Sequence, residues 1–261
     1  MKKNYLNMIL LGIFFWSCNG YLEEIPQNKL RPTTIEDYEQ LLNRGYISEQ
    51  VMPYLDILSD DATLYPKLEE TYAKGTDIYM GAYMWYSSHE STMPSGDKAF
   101  GAFYNSAYYA NIVIENVDQV DEGGNNEVGV LKRNLKGEAY ALRAYSYFYL
   151  VNLYAKPYDP KTCATDPGIP IKTTTEVIEQ AYLRSPVKDV YDLIVEDLKE
   201  GVRLMEENPV DRGTKIRLNA IAAKALLARV YLYMQQWDLA IGQAEAVIKE
   251  NQSLFDRYLY R

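Results

Sequence analysis

The sequence holds little of what metal and redox chemistry use. Among its 261 residues there is one histidine, His89, and two cysteines, Cys18 and Cys163. A lone histidine with no Cys or His partner at ligand spacing makes a poor metal site, and two cysteines make no disulfide framework. There is no phosphate-cradling glycine loop, nucleophile elbow or zinc-helix motif, so neither metal nor cofactor is expected. No apolar run reaches the roughly 20 residues needed to cross a bilayer. Only 15 Gly and 11 Pro are present, which excludes collagen-like and low-complexity chains. Positive charge is also in deficit, with 27 Lys and Arg against 36 Asp and Glu, a net charge of −9. Such a chain repels a phosphate backbone, so nucleic acid is not an expected partner. Tyrosine is the abundant residue, 25 against 6 Phe and 3 Trp. With 48% apolar and 24% charged residues the composition is that of a folded protein, and the length suits one large domain or two small ones.

The first residues read as an export signal. Lys2 and Lys3 precede the short apolar stretch 8–16, and Ser17 precedes Cys18. A small residue just before a cysteine, directly after the apolar stretch, resembles a bacterial lipobox. On that reading residues 1–17 are removed as a signal peptide and acyl chains are added to Cys18. Cys163 is then the one unmodified thiol. An ordinary secretory signal with an incidental Cys18 is the alternative. Residues 18–33, with Gly20, Pro26 and Pro32, read as an extended tether, and 34–261 as the folded domain.

Helical spacing dominates the remainder. Thr34 reads as an N-cap with Asp37 three residues on, and Ile35, Tyr38, Leu41 and Leu42 share a face that ends at Gly45. Residues 46–99 mix Pro53, Pro66 and Pro94 with short apolar runs, and read as short helices and loops. Residues 100–120 are helical again, with Phe103, Ala107, Ala110, Ile114 and Val117 on one side. The strongest helix runs from about Val130 to Tyr154. It is apolar or aromatic nearly all round and is expected to lie centrally. Tyr140, Tyr145, Tyr147, Tyr149 and Tyr154 are therefore expected as packing residues, not as a binding stripe. The Pro- and Thr-rich stretch 156–185 reads as a long loop of the kind that is usually functional. Helices follow at about 187–207, 218–234 and 238–250, with Gln235-Gln236-Trp237 as a tight joint.

In the last pair, Leu227, Ala228, Tyr231 and Ala240 fall at the spacing of a tetratricopeptide repeat, where small residues let two antiparallel helices approach. Lys224 and Ala244 occupy positions where that repeat prefers large aromatics. Helices 138–154 and 187–207 suggest a second copy with a long insertion. Such hairpins stack to bury their faces.

These segments together resemble the SusD/RagB family of outer-membrane lipoproteins. The likeness is carried by Cys18-Asn-Gly-Tyr-Leu-Glu-Glu-Ile-Pro26, Leu58-Ser-Asp-Asp61, Tyr109-Ala-Asn-Ile-Val-Ile114, and above all Lys136-Gly-Glu-Ala-Tyr-Ala-Leu-Arg-Ala-Tyr-Ser-Tyr-Phe-Tyr-Leu-Val151. Gly168-Ile-Pro-Ile171, Arg184-Ser185 with Val190-Tyr191, and the 218–240 hairpin follow in family order. Family members usually run to about twice this length. The resemblance implies a mostly α fold, in which tetratricopeptide-like hairpins pack with an irregular, loop-rich region. It also implies a surface-exposed lipoprotein of the cell outer membrane that is not an enzyme. Such a protein binds oligosaccharide, or sometimes peptide, beside a SusC-like TonB-dependent transporter. A helical scaffold that binds proteins and no glycan, and a hydrolase, are the alternative classes.

Sugar faces stack on exposed Trp and Tyr rings. Past the leader the tryptophans are Trp85 and Trp237. Trp237, at a helix joint, reads as a packing residue. Trp85 lies in Tyr79-Met-Gly-Ala-Tyr-Met-Trp-Tyr86, before the polar stretch 87–92. Two readings of that segment stand. Tyr83, Trp85 and Tyr86 form a stacking platform for ligand, or alternation buries Tyr79, Tyr83 and Trp85 under the scaffold. The acidic pairs Asp60-Asp61 and Glu69-Glu70 read as solvated charges, because adjacency in sequence does not create the set separation a glycosidase needs.

Overall fold

A computed structural model describes residues 32–46, 83–85, 98–177, 179, 181–214 and 216–250. The chain divides into two units, residues 1–33 and 34–261. Nearly all described residues belong to the second. They form six helices: α1 (Ile35–Gly45), α2 (Lys98–Asn116), α3 (Asn126–Tyr154), α4 (Val187–Glu207), α5 (Ala220–Tyr233) and α6 (Trp237–Glu250). A single 3-10 turn, Val117–Gln119, extends α2. The fold class expected from helical spacing is the one observed.

Local chemistry sets the helix starts. The Thr34 hydroxyl accepts from the Asp37 amide at 3.2 Å, and the Asp37 carboxylate accepts from the Thr34 amide at 3.0 Å. This reciprocal pair satisfies two donors that the first turn would otherwise leave open. Asn125 and Asn219 cap α3 and α5 in the same way, each accepting at 2.9 Å from an amide of the first turn. Asn125 starts α3 four residues earlier than the apolar period suggests, because Asn126 and Glu127 are polar but well capped.

Residue pairs fix the packing direction. Along α3 and α4, Gly137 meets Gly201, Arg143 meets Asp197, and Phe148 meets Tyr191. Numbers rise on one helix as they fall on the other, so the two are antiparallel. The same test makes α2 antiparallel to α3, through Asn111 with Arg143, Ser106 with Ser146, and Phe103 with Tyr149. α3 therefore lies between α2 and α4, as its apolar surround requires. One buried cluster, including Phe103, Tyr147, Phe148, Val190, Tyr191 and Leu227, joins α2 to α5. A second, with Ile35, Tyr38, Leu42, Val113 and Leu135, seats α1.

The α5–α6 hairpin is present, with Leu227, Tyr231 and Ala240 buried. Gln235 takes a left-handed φ of 60° in its joint. Lys224 is also buried, and its ammonium pairs with Glu206 of α4 and Glu250 of α6. A cation thus does at that position what an aromatic does in the usual repeat. Trp237 departs from expectation. Its side chain is not packed in the joint but 56% exposed, because the tight turn places it outward at the first position of α6.

Gly137 and Gly201 are the closest approach of α3 and α4. A Cβ on Gly137 would lie 2.8 Å from the Gly201 carbonyl oxygen, and one on Gly201 would lie 2.7 Å from that of Gly137. Gly137→Ala must push the helices apart, and overpacking of this kind costs about 1–3 kcal/mol. The urea midpoint of the variant is expected to fall accordingly. An unchanged midpoint would mean that the two helices separate freely.

Candidate functional site

Of the residues singled out for ligand, Tyr83 and Trp85 are described, while Tyr86 and the lipid-anchor candidate Cys18 lie outside the described residues. So do Tyr79, His89 and both acidic pairs. Tyr83 is half-buried, Met84 is exposed, and Trp85 is 73% exposed. Burial of Trp85 under the scaffold is therefore not what the fold does. Its φ of 56° is left-handed, a conformation that costs an L-residue about 1–2 kcal/mol. Strained residues of this kind gather at recognition sites. The ring stands in solvent at a position where burial alone would not hold it.

The motif residues of α2, α3 and the long loop have different work. Arg143 donates to both Asp197 oxygens at 2.7 Å and to the Asn111 amide oxygen at 2.9 Å, all of them buried. Burial pushes the Asp197 carboxyl upward, and the two bonds from Arg143 oppose that shift. Asn111 passes the network on by donating to the Lys172 carbonyl at 2.9 Å. The Tyr147 hydroxyl accepts from the Lys172 amide and donates to the Lys172 carbonyl, both at 2.8 Å. Tyr104 donates to the Pro170 carbonyl at 2.7 Å. Gly168 sits so close to Ser185 that a Cβ would meet its carbonyl oxygen at 2.7 Å. The amides of Gly168 and Ser185 close the loop by donating to Ser185 and Ile169 carbonyls. The stretch 156–185 is thus long and irregular, yet stapled to α2 and α3 by tyrosine, asparagine and arginine. Cys163 is buried within it as a free thiol.

A second buried network joins α1, α3 and the segment before α5. Glu138 is fully buried and accepts from Arg217 through both oxygens, at 2.8 and 2.6 Å. Tyr46 also donates to Glu138, and its oxygen accepts the Leu218 amide at 2.8 Å. Glu39 pairs with both Arg212 and Arg217. A cleft of about 200 Å3 opens beside these groups, between Asn134, Val210 and Ile221. Its two guanidiniums are committed to Glu39 and Glu138, so it offers no spare positive charge to an anion. Glu138 likewise has no free oxygen to act as an acid or base. Among the described residues no group of three or more His, Cys, Asp or Glu could hold a metal ion. No described helix is long and apolar enough to cross a membrane.

Comparison with known proteins gives these networks a context. The sequence pattern of a SusD-like family, described as starch-binding and associating with the outer membrane, matches residues 20–232. The chain belongs to the SusD-like family. A SusD-like protein, P2, of Formosa agariphila is 25% identical over 98% of this chain and 48% of its own length. A SusD-like protein of Bacteroides ovatus is 28% identical over 54% of this chain and 23% of its own length. Among solved structures, a SusD superfamily protein of Bacteroides vulgatus superposes with a TM-score of 0.68 at 25% identity, over 88% of this chain and 51% of that one. A laminarin-binding SusD-like protein superposes with a TM-score of 0.61 at 21% identity, over 83% and 44%. The chain spans no more than about half the length of the curated relatives it matches.

In this SusD-like chain the motif helix positions a loop. Burial pushes the Tyr147 hydroxyl up to about 12, with the Lys172 backbone and Arg143 opposing. The folded value exceeds the ordinary value of about 10. The neutral hydroxyl therefore stabilises the fold fully below pH 10, and that contribution is lost as pH rises toward 12. Urea midpoints are expected to drop across that window, and to drop less steeply in Tyr147→Phe. Equal slopes in the two proteins would show that the clamp does not titrate.

Proposed function

We propose that this chain captures oligosaccharide at the outer surface of the outer membrane, held there by acyl groups on Cys18. It would work without cleaving its ligand, beside a SusC-like TonB-dependent transporter. The observation that carries the reading is Trp85, an exposed indole on a strained backbone, in a chain whose family is described as starch-binding. An indole face offers sugars a flat apolar surface, and its N–H can bond a hydroxyl. Tyr83 and Tyr86 would flank it. The commitment of Glu138, Asp197, Arg143 and Arg217 to one another supports binding without catalysis. A surface anchor raises the local concentration of captured ligand, so modest affinity suffices for handover.

A protein-binding role is favoured by a separate observation. Trp237, Ile241 and Ile248 share one face of α6 and are all more than half exposed. A surface this apolar suits a protein neighbour, and the transporter is one such neighbour.

Native gels containing amylopectin or laminarin test the capture reading. The wild-type chain is expected to be retarded in at least one, and Trp85→Ala to be retarded less than wild type while keeping its thermal midpoint. Unchanged retardation of Trp85→Ala would remove Trp85 from the site. Intact-mass measurement on protein from a lipoprotein-processing host is expected to give residues 18–261 plus acyl chains. A start lacking acyl mass would refute the anchor.

A further inference from the structure

A second aromatic surface, which the sequence reading passed over, lies on the outer face of α2. Phe100, Tyr104 and Tyr108 follow one another at four-residue steps. Phe100 and Tyr108 are each 41% exposed and Tyr104 is half-buried. Four residues advance a helix by about 6 Å, so the rings form a row with a repeat close to the length of one pyranose unit. Two of its rings, Tyr104 and Phe100, are held in place. The Tyr104 hydroxyl is tied to the Pro170 carbonyl. Phe100 lies 4.7 Å from the Tyr104 ring and 5.2 Å, edge-on, from the Tyr154 ring at the end of α3. Rings already held by packing lose little conformational freedom when a ligand arrives.

Gly101 sharpens the case. It is exposed in the first turn of α2. Among the described residues no contact requires it, since a Cβ there would meet nothing within 4 Å. This differs from Gly137, Gly168 and Gly201, whose Cβ positions are occupied by neighbouring backbone. What Gly101 leaves is a bare notch between Phe100, Tyr104, Asn105 and Tyr108.

We propose that this face of α2 is a sugar-stacking surface, distinct from Trp85, for a run of glucose units of a glucan. The apolar ring faces of the sugar would lie on Phe100 and Tyr108, with one unit seated over Gly101. Asn105 and Arg184, both exposed, would meet its hydroxyls. Arg184 is anchored at the rim by bonds to the Gly168 and Tyr154 carbonyls. The chemistry favours a glycan over a protein occupant. The rings lie beside hydroxyl, amide and guanidinium groups that can bond sugar hydroxyls, in a chain whose family is described as starch-binding.

The inference rests on the glycan-capture reading and goes beyond it. Affinity electrophoresis of the full chain in amylopectin and laminarin gels separates the two. Phe100→Ala with Tyr108→Ala is expected to weaken apparent affinity roughly tenfold, the scale of one or two lost ring contacts. Gly101→Gln is expected to hold or raise the thermal midpoint, because its side chain enters open space, while retardation falls below that of wild type. That variant separates stacking from folding. If Trp85→Ala weakens retardation but the α2 variants match wild type, the α2 surface is refuted and the capture reading stands. If wild-type protein is retarded in neither gel, the glucan reading falls and the α2 surface with it.

Discussion

Gly137 and Gly201 bring the backbones of α3 and α4 together, and Arg143 and Asp197 then close a buried ion pair further along the same contact. The remaining architecture depends on this meeting. Two charges out of water are tolerated only because both guanidinium edges are used, with Asp197 and Asn111 as partners. Removing one member of such a pair leaves the other uncompensated, at a cost of about 3–5 kcal/mol. Replacing both by apolar residues is often neutral, so the pair is better understood as fixing register than as supplying net stability.

Register matters because of what hangs from it. Through Asn111 and Tyr147 the same network grips the Lys172 backbone, and Tyr104 grips Pro170. A loop of this length could adopt many conformations, each costing entropy to exclude. Here hydroxyl and amide groups from two helices over-determine its path. That explains why the motif helix holds a tyrosine at 147 where phenylalanine would pack equally well: the ring fills the core and the hydroxyl holds the loop. The Glu138 network does the same for the segment before α5, using Tyr46 from the end of α1.

The exposed aromatics belong to another class. Trp85, Phe100 and Tyr108 spend their apolar area on solvent. Trp85 does so on left-handed backbone, and Phe100 and Tyr108 do so beside a glycine that no described contact requires. The same residue types serve scaffold and surface. How much of each ring stays exposed separates the two uses.

Much of the scaffold was legible in the sequence. The capping residue Thr34 and the 3.6-residue apolar period depend on neighbours within a turn or two, so they can be read locally. The centrality of α3 followed from its lack of a polar face. The orientation of individual rings could not be read in that way. Its place at a helix joint marks Trp237 for packing, yet it is exposed, and local spacing alone does not tell exposed Trp85 or the α2 row from buried rings. Gly101 and Gly137 look alike in sequence, yet one faces solvent and the other a backbone carbonyl. Burial is a sum over residues distant in the chain, and it is the tertiary contact between α3 and its neighbours that decides which aromatic and which glycine has a partner.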